Sequence, residues 1–337
     1  MADGDAVTLV TGGTGFIGGR LVARLVRDGH RVRCLVRPSA DTSALTGLGV
    51  DLSVGDLTDP ASLRRAVDGC RDVVHCAAMV TDWALPGEVR RVNVDGTRAL
   101  LEASAAVGLE RFVHISSTDV YGHPGGREVD ETHRPGSFRN WYAQTKLAAE
   151  AEVRRAAAAH RLATVILRPG TVYGPGSREV VLEIARAIRG RHMVLIGDGR
   201  AVAGLCYVEN LVDAVLAARA EPAVAGAVLN VVDGVEVTWR GFVDDLAAGL
   251  GCPPVRWSIP YRVAEPLGLG LEQGYRLLRR MTGLRTRPLL SRQAVQVMGV
   301  DQRFSNRGAR EQLGWEPRVG YAAGLAATLD WLRAVGV

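Results

Sequence analysis

Short apolar runs alternate with longer amphipathic stretches through the first half of this chain. The runs are rich in Val, Ile and Leu, and they read AVTLV, RVRCLV, DVVHCA, RFVHIS and ATVILR. Runs of this length that are separated by helical patterns are typical of parallel strands covered by helices on both faces. The pattern therefore predicts an α/β protein built on a doubly wound parallel sheet.

A glycine-rich segment, TGGTGFIG, follows the first of these runs. It places Gly12, Gly15 and Gly18 at three-residue intervals before an amphipathic helix predicted at 16–28. Glycines at a strand-to-helix turn let the backbone approach a pyrophosphate, whose charge then faces the helix N-terminus. A tight turn alone would use the same glycines, but the strand before and the helix after them favour a Rossmann dinucleotide site.

The end of the second run indicates which dinucleotide is bound. An acidic residue there would accept hydrogen bonds from a free ribose 2′-hydroxyl and repel a 2′-phosphate. This chain reads CLVRPS instead, with Arg37 able to grip a phosphate and Ser39 as a further donor. In the alternative interpretation, Arg37 is an ordinary exposed arginine in a loop and has no role in cofactor binding. We predict NADP(H) in preference to NAD(H).

Candidate acid/base chemistry lies in the sequence WYAQTK. Tyr142 and Lys146 are four residues apart, so a helix places both side chains on one face. A nearby positive charge lowers the pKa of a phenol, which is otherwise about 10, and so makes it useful near neutral pH. Because a YxxxK string also occurs as a solvated surface pair, a second element is needed.

That second element is the sequence HISSTDVYG, where a strand ends in hydroxyl residues. A hydroxyl at the carboxyl end of a parallel strand can hold a reacting oxygen beside the phenol. We assign this role to Ser117, with Thr118 as the reserve.

These segments resemble the short-chain dehydrogenase/reductase superfamily in its extended branch, whose fingerprint is TGxxGxxG. Further matches are GDLTDP, HCAA, RVNVDGT, RPGTVYGPG and the interval of 25 residues from Ser117 to Tyr142. Asn93 resembles the asparagine that completes the family's catalytic tetrad, although it could instead bond to its own helix backbone. The resemblance implies cofactor contacts from Gly12, Thr14, Gly15, Phe16, Ile17, Asp56, Leu57, Ala77, Ala78, Tyr142, Lys146, Pro169, Gly170 and Val172.

Within that branch the chain is similar to the 3β-hydroxysteroid dehydrogenase and dihydroflavonol reductase subgroup. YAQTKLAAE is similar to its YxxTKxxAE, whereas sugar-nucleotide epimerases usually carry PYGxSK. The resemblance implies an oxidoreductase that interconverts a secondary alcohol and a ketone on a bulky, largely apolar substrate. Apolar side chains of Tyr261–Met281, with Trp83 and Trp141, could line its pocket or belong to ordinary core packing.

Two other functions stay open. A sugar-nucleotide epimerase or dehydratase would use the same tyrosine and lysine with a retained cofactor, and Asp119 stands where a dehydratase carries a carboxylate. A non-catalytic NADP-binding sensor is the second alternative. The joint presence of Ser117, Tyr142 and Lys146 argues against the sensor.

The domain organisation follows from where the strand–helix rhythm breaks, after Pro169. We expect an NADP-binding Rossmann domain at 1–170, with its sheet continued by about 201–233. Residues 171–200 and 234–337 are expected to form a smaller C-terminal substrate-binding lobe.

The amino-acid composition limits the classes of binding partner that we expect. The 41 basic and 36 acidic residues give a formal charge of +5 but are interleaved, so we expect no nucleic-acid partner. The five cysteines are widely spaced and predict neither a metal site nor disulfides. Without a recognisable signal peptide or a spanning segment, the cytoplasm is the expected location. Family resemblance alone implies a homodimer.

Overall fold

The computed structural model describes residues 6–80, 84–136, 140–282 and 292–337. Eleven strands lie in these ranges: β1 Val7–Thr11, β2 Arg31–Val36, β3 Asp51–Val54, β4 Cys70–His75, β5 Arg111–Ile115, β6 Thr164–Pro169, β7 Thr171–Tyr173, β8 Leu195–Ile196, β9 Leu205–Tyr207, β10 Val228–Val231 and β11 Ser258–Ile259.

The described residues also form thirteen α-helices. They are α1 Phe16–Arg27, α2 Ser43–Thr46, α3 Pro60–Val67, α4 Pro86–Arg90, α5 Gly96–Ala106, α6 Trp141–His160, α7 Glu183–Arg189, α8 Val208–Ala220, α9 Trp239–Gly249, α10 Tyr261–Thr282, α11 Arg292–Gly299, α12 Arg307–Leu313 and α13 Tyr321–Ala334. Short π-helical turns precede α5 and α7, and a 3₁₀ turn at Thr118–Tyr121 follows β5. No helix in the described ranges is long and apolar enough to cross a membrane.

Seven strands form one parallel sheet in the order β3-β2-β1-β4-β5-β6-β10. The chain winds outward from β1 through β2 to β3 and then returns to β4 on the other side. The order therefore reverses between β1 and β4, which is where open parallel sheets bind their ligands. The predicted doubly wound Rossmann sheet is confirmed.

Both faces of the sheet are covered, as the apolar strand sequences require. Helices α1 and α8 pack Leu21 and Leu211 against one face, while α3 and α5 pack Leu63 and Leu100 against the other. These four leucines are fully buried. Burial on both faces explains why the strands read as continuous apolar runs rather than as alternating patterns.

A second group of elements lies beyond β6 and has its own core. Two small parallel sheets, β7-β9 and β8-β11, accompany a cluster that includes Tyr173, Trp239 and Phe242. Part of the C-terminal region nevertheless packs on the main sheet, because Ala309 of α12 and Trp315 belong to the core beneath α1 and α8. The division into two domains at the predicted boundaries stays a prediction.

Candidate active site

The glycine segment forms a tight turn between β1 and α1 that only glycine can make. Gly12 has a φ of +74°, and a Cβ on it would lie 2.8 Å from the backbone nitrogen of Ala77. A Cβ on Gly18 would lie 2.2 Å from the carbonyl oxygen of Gly12. The first turn of α1 is therefore pressed against the end of β1, with Ala77 beside it at the start of the segment after β4.

The N-terminus of α1 is open to an anion. Thr14 and Gly15 are exposed, and Gly15 caps the helix without any side-chain hydrogen bond. Phe16 and Ile17 are half-buried and pack into the two neighbouring cores, which fixes the direction of the helix. Free backbone N–H groups at a helix N-terminus bind phosphate. This turn fits the pyrophosphate of a dinucleotide.

The ends of β2 and β3 lie on the side expected for the adenosine. Arg37 and Ser39 are exposed directly after β2. Burial raises the pKa of Asp56, but hydrogen bonds from Thr58 and the charges of Arg37 and Arg91 outweigh burial and lower it. Arg37 therefore lies close enough to Asp56 for their charges to interact.

Leu57, predicted beside the adenine ring, is 7% exposed. A Cβ on Gly96, at the start of α5, would lie 2.9 Å from the Cβ of Leu57. Its side chain is thus packed under α5, and an adenine contact stays a prediction. Ala77 and Ala78 are half-buried beyond β4.

Tyr142 and Lys146 lie on the buried face of α6. Asn140 caps this helix by accepting a hydrogen bond from the backbone nitrogen of Tyr142 at 2.8 Å. Lys146 donates to the carbonyl oxygen of Ile115, the last residue of β5, at 2.7 Å. The ammonium group lies 5.8 Å from the centre of the Tyr142 ring. The structure therefore brings the predicted pair to the carboxyl end of β5.

The electrostatics of Lys146 suit a group that titrates near neutral pH. Burial lowers its pKa to about 8, while Cys76 and Glu150 act in the opposite direction. Lys146 is 4% exposed. Its charge is therefore poorly screened by solvent and acts strongly on neighbouring groups.

The three hydroxyls after β5 have different surroundings. Ser117 is half-buried, and its Oγ accepts a hydrogen bond from the backbone nitrogen of Asp119 at 3.1 Å. Because this bond uses a lone pair, the Ser117 hydroxyl keeps its proton for another acceptor. Thr118 is 3% exposed, and Ser116 donates to Glu150 at 2.6 Å. This arrangement favours Ser117 over Thr118 as the candidate.

A buried ionic network lies directly behind these residues. Arg168 of β6 binds Glu150 through two hydrogen bonds, of 2.8 Å from Nε and 2.6 Å from Nη2. Glu150 is fully buried, and Arg168 also donates to the hydroxyl of Tyr121 at 2.8 Å. The pair joins three elements: α6 with Lys146, the β5 end before Ser117, and the β6 end before Pro169.

Asn93 lies in the π-helical turn before α5 and is 2% exposed. Its Oδ1 accepts from the backbone nitrogen of Met79 at 2.7 Å. Its Nδ2 donates to the Met79 carbonyl at 3.2 Å and to the Thr145 hydroxyl at 3.1 Å. Asn93 thus ties the segment after β4 to α6, one residue before Lys146. Its predicted part in a catalytic tetrad stays a prediction.

The segment after β6 is built by close backbone contacts. A Cβ on Gly170 would lie 2.2 Å from the carbonyl oxygen of Gly204. The backbone nitrogen of Gly170 bonds to Val231 at 3.1 Å, and Val172 pairs with Cys206 in β7-β9. Pro169 ends β6. The predicted nicotinamide-facing residues therefore form a fixed backbone segment at the carboxyl edge of the sheet.

Asp119, the residue of interest for a dehydratase, contacts the second group of elements. Gln293 of α11 donates to its Oδ2 at 2.8 Å. His123 Nε2 lies 3.8 Å from Oδ1. This contact joins the turn beside Ser117 to a helix 174 residues further along the chain.

Sequence reasoning missed the buried partners of these residues. Glu150 lies eight residues after Tyr142, so the face argument that groups Tyr142 with Lys146 also includes it, and this signal could have found it. No comparable signal marks Arg168 or His75, whose partners are distant in sequence.

For the predicted pocket wall, Trp141 is half-buried, whereas Trp83 lies outside the described residues. On α10, Val263, Leu267 and Leu271 are exposed. All five cysteines are free thiols. Across the described ranges, no cluster of three His, Cys, Asp or Glu could hold a metal ion.

A parallel sheet with a glycine turn at its switch point and a buried tyrosine–lysine helix defines a dinucleotide-binding enzyme of the Rossmann type. The family model described as "NAD dependent epimerase/dehydratase family" matches residues 8–231. The chain belongs to this family and, within it, to the extended short-chain dehydrogenase/reductases of the 3β-hydroxysteroid dehydrogenase-like subgroup. It is a nicotinamide-dependent enzyme of the dehydrogenase/reductase type.

Three similar proteins illustrate this membership. The chain is 34% identical to a 2-alkyl-3-oxoalkanoate reductase of Stenotrophomonas maltophilia, covering 94% of this chain and 96% of the relative. It is 30% identical to a 3 beta-hydroxysteroid dehydrogenase/Delta 5-->4-isomerase of Mycobacterium tuberculosis, covering 92% and 85%. Among solved structures, MoeE5 in complex with UDP-glucose and NAD is 28% identical with a TM-score of 0.77, covering 98% and 99%.

Proposed function

We propose that this enzyme is an NADP(H)-dependent oxidoreductase that interconverts a secondary alcohol and a ketone on a bulky, largely apolar substrate. The observation that carries the proposal is the hydrogen bond from Lys146 to Ile115. This bond holds the lysine at the carboxyl end of β5, two residues before Ser117. Tyr142 lies one helical turn earlier on α6.

In ketone reduction, three side chains of this enzyme then have different roles. Ser117 donates its hydroxyl proton as a hydrogen bond to the substrate carbonyl oxygen and orients it. Tyr142 transfers a proton to that oxygen as negative charge develops on it. The positive charge of Lys146 stabilises the resulting phenolate. When bound at the glycine turn, a reduced nicotinamide would supply the hydride for the carbonyl carbon.

The preference for NADP(H) rests on the end of β2. Arg37 and Ser39 are exposed there, and the first acidic residue after the strand is Asp41. The Asp41 carboxylate accepts a hydrogen bond from the backbone nitrogen of Ser43 at 3.0 Å. The acid nearest in sequence is thus directed to the start of α2, which leaves Arg37 as the group for a 2′-phosphate.

The Arg37→Asp variant tests this preference. A carboxylate at this place repels a 2′-phosphate, so we expect the ratio of NADP(H) to NAD(H) affinity to fall by about tenfold or more. Titration of wild type and variant with both cofactors measures it. An unchanged preference for NADP(H) would contradict the assignment to Arg37.

The proposed substrate class is supported by the relatives, whose names specify an alkyl-branched oxoalkanoate and a steroid. Trp141, at the first position of α6 and half-buried, is one residue from Tyr142. A large ring at this place suits the apolar part of a bulky ketone.

A panel of ketones tests the function directly. Bulky 3-oxo acids, 3-oxo steroids and small ketones are offered to the wild-type enzyme with NADPH, and cofactor absorbance is followed. We expect consumption with the bulky 3-oxo compounds and at least about tenfold lower kcat/KM for small ketones, because lost apolar contact weakens binding.

A sugar-nucleotide epimerase or dehydratase is the second candidate. It is favoured by the carboxylate of Asp119 two residues after Ser117 and by the likeness to MoeE5. In this chain the carboxylate is bonded to Gln293. Conversion of UDP-sugars without net change in NADPH absorbance, by enzyme purified with retained cofactor, would support this candidate over the reductase.

The cytoplasmic location and the homodimer also belong to the proposal. Sedimentation of the purified chain tests the dimer, and fractionation of the producing cell tests the location. A monomer at all concentrations would contradict the first, and recovery outside the cytoplasm would contradict the second.

A further inference from the structure

A buried histidine that the proposed reaction does not use lies between the glycine turn and Asn93. His75, at the end of β4, is 1% exposed and is flanked by the hydroxyls of Thr11 and Thr97, which are also buried. Its Nδ1 lies 2.7 Å from Thr11 Oγ1, and its Nε2 lies 2.9 Å from Thr97 Oγ1.

The neighbouring bonds determine which way every proton points. Thr97 donates its only hydroxyl proton to the carbonyl oxygen of Asn93 at 2.7 Å. The His75 Nε2 must therefore carry the proton that Thr97 Oγ1 accepts. Burial, with a smaller effect from Lys146, lowers the pKa of His75 to about 3, so its ring is neutral and its Nδ1 is a bare acceptor.

This tautomer of His75 also determines the direction of the hydrogen bonds on the side of Thr11. Thr11 donates to His75 Nδ1, and its oxygen accepts from the backbone nitrogen of Ala77 at 3.2 Å. The result is one directed series of hydrogen bonds that starts at Ala77 and passes through Thr11, His75 and Thr97 to Asn93. The three side chains of Thr11, His75 and Thr97 each donate one hydrogen bond and accept one, between the N–H of Ala77 at one end and the carbonyl oxygen of Asn93 at the other.

The residue at the end of this series, Asn93, also binds the segment that contains Ala77, where the series begins. Asn93 holds both backbone groups of Met79, two residues after Ala77. Ala77 in turn lies against Gly12, where a Cβ would come within 2.8 Å of its nitrogen. The short segment 77–79 is thus held at both ends beside the glycine turn.

We propose that Thr11, His75 and Thr97 are positioning residues that fix segment 77–79 against the glycine turn and thereby set the affinity for the dinucleotide. This inference rests on the proposed function, because it assumes that the turn binds the cofactor. The three residues act through Ala77 and Met79 and are not themselves assigned a contact with the cofactor.

The Thr11→Val variant tests the proposal with Thr8→Val as its control. Thr8 lies on the same strand and is fully buried, and no partner for its hydroxyl is present among the described residues. Both changes replace a hydroxyl by a methyl group. Calorimetric titration of NADP⁺ is expected to show an about tenfold weaker Kd for Thr11→Val, as expected for one lost hydrogen bond, and an unchanged Kd for Thr8→Val.

A second pair of variants keeps the test decisive if Thr11→Val folds poorly. In His75→Asn, the amide oxygen can take the place of Nδ1 and accept from Thr11. In His75→Gln, the amide nitrogen can take the place of Nε2 and donate to Thr97. We expect His75→Asn to keep a Kd for NADP⁺ within about threefold of wild type, and His75→Gln to lose about tenfold.

Each result is decisive. Equal affinity of Thr11→Val and wild type, or equal losses in the two His75 variants, would overturn the positioning role while leaving the proposed function intact. Failure of the wild-type chain to bind either NADP⁺ or NAD⁺ would overturn both.

Discussion

Two buried polar networks hold the site, and they differ in charge. The one beneath the glycine turn runs through His75 and consists of neutral groups and backbone. The one behind Tyr142 and Lys146 is centred on the Glu150–Arg168 ion pair. The segment beside the glycine turn is thus held by directed neutral hydrogen bonds, and the helix that carries Tyr142 and Lys146 by a buried charge pair.

The difference has a physical reason. Neutral hydrogen bonds position backbone groups without adding a net charge, which suits a turn whose own helix N-terminus attracts phosphate. A buried charge pair costs desolvation but exerts a strong field nearby. Glu150 acts on Lys146 in this way and raises its pKa against the effect of burial.

The largest expected effect is on stability, in the Glu150→Gln variant. It leaves Arg168, of which 3% of the side chain is exposed, without its counter-charge. We expect the free energy of unfolding to fall by about 3–5 kcal/mol, which is typical when one partner of a buried pair is removed. Urea denaturation measures it.

Glu152→Gln on the same helix is the matched control for this variant. Glu152 pairs with Arg155 and Arg98, of which 63% and 42% of the side chains are exposed to water, so its loss leaves no buried cation without a counter-charge and should cost below about 1 kcal/mol. Equal losses in the two variants would show that the buried charge of Glu150 has no special role and would remove the contrast between the networks.

A smaller effect is expected in the pH dependence of ketone reduction. In the proposed mechanism protonated Lys146 is the active form, and burial lowers its pKa to about 8. The kcat/KM should therefore be level below pH 8 and fall about tenfold per unit above it. A profile that stays level to pH 9.5 would contradict this role.

The pH dependence of kcat/KM in the Thr11→Val variant tests whether the neutral network and the charged network act separately. Because its network is neutral and acts on the cofactor side, the alkaline fall should stay near pH 8 while the KM for the cofactor rises. A shift of the pH profile in this variant would mean that the two networks are not separate.

The sequence predicted the sheet, the glycine turn and the pairing of Tyr142 with Lys146, because each depends on residues close together in the chain. The start of α3 depends on neighbouring residues in the same way, because Asp59 directly before Pro60 accepts a hydrogen bond from the backbone nitrogen of Ala61. The networks could not be predicted in the same way. Thr11 and His75 are 64 residues apart, and only the pairing of β1 with β4 brings them together.

The elements beyond β6 were even harder to predict from the sequence than the buried networks. Strands β8 and β11 have two residues each, and their pairing depends on tertiary contacts rather than on local pattern. The contact between Asp119 and Gln293 likewise joins distant segments. Sequence pattern predicted that a second lobe exists but not how it meets Ser117.

The most direct test of the acid/base assignment is turnover by the Tyr142→Phe variant. Tyr173→Phe is its control, because Tyr173 is fully buried and its hydroxyl has no partner in the described ranges. With a bulky 3-oxo substrate and NADPH, we predict that Tyr142→Phe loses about 10²–10⁴-fold in kcat while its affinity for NADPH is retained. Tyr173→Phe should turn over like wild type. A Tyr142→Phe enzyme with wild-type kcat would contradict the proposed mechanism.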